Sequence, residues 1–188
     1  MMILALLAAA AAAQPTLAPA AKPSAPGVAI TERAPTDVRR TTIIVRDMAR
    51  SLALYRDVIG MHVNYDTVVE TSGVALPAGK PGAKARLVLL NANDPWVGWI
   101  GLMQWIAPPI PAKPYPLRMG PGGIVIVMNT DDVDGRCARA FALPGVTKTA
   151  APRLQTYPGR NGAPEIHVRG CNFFDPDGVL IEMNQILK

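Results

Sequence analysis

Residues 41–47, TTIIVRD, form a short β-rich run that stops at an Asp. The next stretch, MARSLALYRDVIG, places Met48, Leu52, Tyr55, Val58 and Ile59 at helical spacing. A strand followed by an amphipathic helix is therefore expected, with Gly60 at the left-handed position that closes a helix. Three further strands are expected over residues 61–69, 85–92 and 98–105, separated by the turn-rich connectors LPAGKPGAK and NDPW.

From Gly123 the order begins again. GIVIVMNTDDVDG reads as a strand entering acidic helix-starting residues, and GRCARAFAL as a short helix. GVTKTAAPRLQ, PEIHVRGCNFF and VLIEMNQIL then read as three strands. Two copies of strand-helix-strand-strand-strand, joined by a Pro-rich connector, describe an α+β protein of two tandem βαβββ modules whose cupped mixed sheet is completed by the second copy. The expected organisation is a signal segment over 1–20, a Pro/Ala-rich tether over 21–37, module one over 38–106, a linker over 107–121 and module two over 122–187. The Asp131, Asp132 and Asp134 cluster reads as negative charge at a helix start, because it lacks the spacing of a calcium loop.

Composition narrows the function classes. The 188 residues are 49% hydrophobic and 18% charged, which is a globular balance, and the net charge of +5 is spread along the chain. With no basic block and no interleaved aromatics, a nucleic-acid surface is not expected. The apolar start, residues 3–13, followed by Ala18-Pro19-Ala20, reads as a secretory signal, too short and Ala-rich to span a bilayer. The expected location is periplasmic or secreted, with no membrane contact after cleavage. Cys137 and Cys171 would then meet an oxidising compartment, which leaves a disulfide open, yet they fall in different elements without a short spacing, so two separate, partly buried thiols are the expectation.

TTIIVRDMARSLALYRDVIGM and FFDPDGVLIEMNQ resemble the opening and closing signatures of the vicinal oxygen chelate superfamily, which includes glyoxalases, bleomycin-resistance proteins, fosfomycin-resistance enzymes and extradiol dioxygenases. The resemblance covers residues 38–187. It implies paired βαβββ modules and, in metal-dependent members, two metal ligands per module. Carried over position by position, the ligand before Asp47 falls on Arg40, and the last-strand ligand of module one falls on Gly101. The second module's first ligand falls on Val125 or Ile126, and its last-strand ligand is Glu182. Only Glu182 is a retained ligand position, so no cofactor is expected, with a divalent metal at a rebuilt site as the open alternative.

Two readings of Arg40 stay open. Its guanidinium replaces the metal's charge, pairing with Glu182 or an anionic ligand, or it points to solvent at a strand edge. Without a nearby cation, Glu182 could serve as a general base. Tyr65, Trp99 and Trp105 are candidate pocket walls or, alternatively, core or a dimer interface. If residues 175–178 close a four-residue turn, Phe174 pairs near Val179, and Cys171 stands opposite Glu182 as a pocket thiol. His167 then shares Glu182's face about 13 Å away, at roughly 3.3 Å per residue. The expected function is a glyoxalase- or dioxygenase-like protein acting on a small carbonyl or aromatic compound without the four-ligand metal site. The alternative is a non-catalytic binding protein of the bleomycin-resistance type. A small molecule is the expected partner, and pairing of modules within one chain or between two chains stays open.

Overall fold

The computed structural model describes residues 36–114 and 117–187. The expected signal segment, and all of the tether before Thr36, lie outside the described residues. Module one runs β1 (Arg40–Ile44), α1 (Met48–Leu52), β2 (His62–Thr71), β3 (Ala83–Asn91) and β4 (Trp99–Ala107). Module two repeats it with β5 (Val125–Asn129), α2 (Val133–Phe141), β6 (Thr147–Tyr157), β7 (Ile166–Phe174) and β8 (Leu180–Ile186). Each module forms one four-stranded mixed sheet, ordered β1-β4-β3-β2 and β5-β8-β7-β6, with β1 parallel to β4 and β5 parallel to β8.

The repeat extends to single hydrogen bonds. Asp47 and Asp132 are both N-caps, accepting from Ala49 and Arg50 N–H and from Gly135 N–H respectively. The first helical N–H of each module, on Met48 and Val133, donates to the side-chain oxygen of Gln104 and Gln185, each in the last strand of its own sheet. These two glutamines occupy matching places in IGLMQ and IEMNQ, so each ties helix entry to the strand that carries Gly101 or Glu182. α1 continues as a π-helical stretch, Ala53–Val58, and Gly60 follows at φ +87°. A Cβ there would stand 2.8 Å from Nη1 of Arg136, so the site requires glycine for both backbone and space.

One core joins the modules. Ile43, Leu52, Tyr55, Val88 and Leu102 of module one pack in the same cluster as Val133, Cys137, Phe173, Ile181 and Met183 of module two. The helix-facing sides of both sheets therefore share one apolar interior. The cross-module polar contacts centre on the turn after β7. Asp177 accepts from Arg46 N–H at 2.9 Å and from the Ser51 hydroxyl at 3.1 Å, with the Arg46 guanidinium 3.6 Å away. Asp175 accepts the buried Tyr55 hydroxyl at 2.8 Å and its own turn's N–H groups from Asp177 and Val179.

That turn corrects the expected register. Asp175 N–H bonds Val179 O, leaving a three-residue loop with Gly178 at φ +86°, and Phe174 pairs with Leu180. Glu182 consequently faces Asn172, and Cys171 pairs with Met183. A one-residue change of register moves every side chain to the other face. Cys171 thus enters the core, where it forms a disulfide with Cys137 of α2, Cα to Cα 6.6 Å. The expectation of separate thiols is overturned because α2 packs directly on β7, a proximity that 34 residues of separation conceal.

Two outcomes follow for stability. Burial raises the carboxyl pKa of both Asp175 and Asp177, and only part of this is offset by their hydrogen bonds. Folded carboxyls with raised pKa values favour the protonated state. Their contribution is therefore full below about pH 4, the unfolded carboxyl range, and is lost as pH rises through the raised values. Tyr55→Phe removes a donor to Asp175, so it should cost about 1.5–3 kcal/mol at a pH high enough to ionise the acceptor and about 0.5–1.5 kcal/mol at a pH low enough to protonate it. Urea unfolding at the two pH values checks this. Replacing both cysteines by serine should cost about 3–4 kcal/mol for a loop of this length, read as a lowered Tm that reductant no longer affects.

Candidate small-molecule site

The side of each sheet turned away from the shared core carries the positions at which metal-dependent members of the resembling family hold their ion. In module one, Thr42, Gly101, Leu89 and Tyr65 form one cross-strand row. The matching row in module two is Val127, Glu182, Asn172 and Ala150. Arg40 and Val125 lie one step along on the same faces, paired with Trp99 and Leu180. Of the two residues left open for the second module's first ligand, Val125 lies on Glu182's face, while Ile126 packs against the core.

A metal does not fit this donor set. Arg40 is a cation, Gly101 offers no side chain, and Val125 and Val127 are aliphatic. Glu182 is already held by its neighbours, accepting from Asn184 Nδ2 at 2.8 Å and from the Tyr157 hydroxyl at 3.5 Å. Among the described residues, no three His, Cys, Asp or Glu side chains group closely enough to hold an ion. One carboxylate with two protein donors on it has the chemistry of an anchored hydrogen-bond acceptor rather than of a first ligand.

Gly101 opens the face of module one. A Cβ there would meet Thr42 Oγ1 at 2.7 Å and Arg40 Cδ at 3.2 Å, so the Arg40 stem lies across the bare glycine. The Arg40 guanidinium donates from Nε to Thr42 Oγ1 at 3.1 Å and stands exposed at the start of β1. No hydrogen bond or ion pair joins it to Glu182 among the described residues. The structure thus takes neither sequence reading whole. Arg40 is at a strand edge, yet its stem is held over the ligand-position glycine. Its neighbour Arg39 stacks on Trp96 at 3.8 Å and approaches Trp99 at 5.9 Å.

The other candidates separate by face. Tyr65 and Trp99 share the face of Arg40 and Gly101, with Tyr65 exposed and Trp99 nearly buried. Trp105 is on that face too, but it is 2% exposed, packed with Ala83, Ala85 and Met103 beneath the connector that carries Ala78 and Gly79. It is packing, not a wall. His167 leaves Glu182's face: it pairs with Thr156, its Nδ1 lies 3.1 Å from the Thr156 hydroxyl, and Val168 takes the place opposite Ile186. The same register change that moved Cys171 accounts for it. The Asp cluster does what was expected, with Asp134 paired to Arg169, which holds its carboxyl below the usual range.

Sequence reasoning missed the polar group around Glu182. Gly170, Asn172 and Asn184 share its face, as do Arg153 and Gln155. Arg153 donates to Asn172 Oδ1 and Gln155 Oε1, and the Tyr157 hydroxyl bonds Gln155. The Asn184 amide occupies the space a Gly170 side chain would take. Alternation along β6 and β8 was the available signal, but bulges in the β6 pairing between Lys148 and Arg153 obscure it. Gly170→Ala should therefore cost about 1–3 kcal/mol by overpacking, and should free the Glu182 carboxylate from Asn184. The check is denaturant unfolding combined with the NMR signals of the Asn184 side-chain amide, which should move as its bond to Glu182 is lost.

A cleft of about 910 Å³ opens elsewhere, between the start of module one's β1 and β4 and the end of module two's β5 and β8. Arg40 and Trp99 border it, whereas Glu182, Tyr65, Trp105, Cys171 and His167 do not.

Comparison with known proteins agrees with the repeat. A structure of a glyoxalase family protein from Bacillus cereus superposes with a TM-score of 0.60 at 18% identity, covering 85% of this chain and all of that one. An antibiotic binding protein from Streptomyces sp. CB03234 is 23% identical over 82% of this chain and 99% of its own, at a TM-score of 0.48. At such identities the likeness concerns the fold alone. No curated protein matches the chain. The family model for the Glyoxalase/Bleomycin resistance protein/Dioxygenase superfamily matches residues 37–183, and the chain belongs to that superfamily.

Proposed function

We propose that this protein is an exported small-molecule-binding member of its superfamily that works without the four-ligand metal centre. The observation that carries the reading is the replacement of three ligand positions by Arg40, Gly101 and Val125, with the fourth, Glu182, tied to Asn184 and Tyr157. The face over Gly101 offers a glycine floor crossed by the Arg40 stem, an aromatic edge from Tyr65 and Trp99, and the Arg40 cation. That combination suits a small aromatic or carbonyl compound, above all one bearing negative charge. Export is supported by the Cys137–Cys171 disulfide, since such bonds persist in oxidising compartments.

Of the two activities expected from the sequence, binding is favoured over lyase- or dioxygenase-like chemistry, because Arg40, Gly101 and Val125 stand at three ligand positions and the Glu182 carboxylate already accepts from Asn184 and Tyr157. Catalysis would leave Glu182 as a lone base toward a carbon acid.

Thermal-shift screening with small aromatic carboxylates and aldehydes tests the reading. Binders should stabilise the wild type, and Gly101→Leu, which fills the floor, should abolish the shift. Arg40→Gln should weaken carboxylates by about tenfold and aldehydes much less, the difference expected for one lost charged hydrogen bond. A compound that is turned over by the wild type and not by Glu182→Gln would replace binding with catalysis.

A further inference from the structure

The cleft between the modules is a second candidate site, which shares Arg40, Trp99 and Val127 with the sheet faces just described. Its volume of about 910 Å³ falls at the upper end of small-molecule pockets, and it is bounded on both sides by apolar groups, Met61 and Ile100 from module one and Ile126 and Met128 from module two. Two guanidinium groups border it. Arg136, in the first turn of α2, donates from Nη1 to the carbonyls of Val58 and Ile59, both at 2.8 Å, where the helical segment of module one ends. That contact fixes a cation from module two on a wall of module one. It also uses only part of the fork: the buried Nε of Arg136 has no partner.

Among the described residues, neither Arg136 nor Arg40 forms an ion pair. The one carboxylate on the rim, Asp131, is exposed and is not paired with either. His62 is the remaining titratable group on the lining. Two fixed cations against one carboxylate leave the cleft net positive, and guanidinium donors without carboxylate partners favour an anionic head group. The apolar walls on either side require the rest of the ligand to be hydrophobic.

We infer that this cleft binds an amphipathic monoanion, an aromatic or alkyl carboxylate or sulfonate, with its head at Arg136 and Arg40 and its body between Met61, Ile126 and Met128. Because the lining comes from both modules, an occupant would bridge them, and it shares only Arg40 with the polar contacts proposed over Gly101.

The test uses 8-anilinonaphthalene-1-sulfonate and the uncharged N-phenyl-1-naphthylamine, which share an aromatic frame and differ in the sulfonate. The sulfonate should bind one per folded chain, at least about tenfold more tightly than the neutral probe. Asp131→Asn, an exposed change, should tighten the sulfonate and leave the neutral probe unchanged. Met128→Trp should block both probes. Arg136→Gln should weaken the sulfonate about tenfold, and Arg40→Gln serves the same purpose if the loss of the Val58 and Ile59 contacts prevents folding. Tyr65→Ala, on the sheet face and outside the cleft lining, should leave sulfonate binding intact, which separates this inference from the site on the sheet face. Equal affinity for the two probes, or sulfonate binding that ignores Asp131→Asn and Met128→Trp, would overturn the proposal.

Discussion

Two carboxylates at one tight turn, Asp177 within its three-residue loop and Asp175 at its start, hold this molecule together. Asp175 and Asp177 are almost wholly buried, and each is placed under the first helix of the other module. Burying a carboxyl is costly unless donors surround it. Here two donors come from the turn itself and three from module one: Val179 and Asp177 N–H with the Tyr55 hydroxyl for one group, and Arg46 N–H with the Ser51 hydroxyl for the other. Neither module can satisfy its share alone. The apolar cluster that joins the two sheets supplies area, but this polar pair fixes how the helix of module one meets the end of β7. The Tyr55 hydroxyl shows the strength of that environment, since burial first and Asp175 second push its pKa well above the ordinary value.

The same turn sets the chemistry of the face beyond it. Its three-residue loop, rather than a four-residue one, decides that Glu182 looks across at Asn172 and that Cys171 looks inward. From the first choice comes the polar group of Asn172, Asn184, Gln155 and Tyr157 around a single carboxylate. From the second comes the disulfide that fastens α2 to its sheet. α2 in turn carries Arg136, which reaches the end of module one's helical segment. Register, crosslink and cross-module clamp are thus successive consequences of one loop length.

Most of the fold was legible in the chain. Apolar periodicity located all eight strands and both helices, because each element buries one face and the pattern must match its period. The β5–α2 boundary was legible from Asp132, and the end of the first helix from Gly60. What the pattern could not carry was anything that depended on a loop's hydrogen bonds or on contacts distant in sequence. DPDG reads as a turn kit, and nothing local says that its aspartates are buried against Ser51 and Tyr55. For the candidate site, Arg40, Gly101 and Glu182 were placed correctly on their strands by counting from flanking residues. Of the readings open for Trp105 the structure takes the core, because the connector covering it packs from outside the strand, and His167 was put on the wrong face because a one-residue register error inverts faces.

The account of function rests on chemistry that the ligand positions no longer support. An aliphatic wall at Val125 and Val127, a glycine floor at Gly101 and a hydrogen-bonded Glu182 leave shape and charge as the means of recognition. The direct measurement is the metal content of protein purified without chelators, read per chain after equilibration with Ni, Zn, Fe or Mn ions. The account predicts well under one ion per chain, with all of it removed by simple dialysis. One tightly held ion per chain, lost on Glu182→Gln, would contradict it.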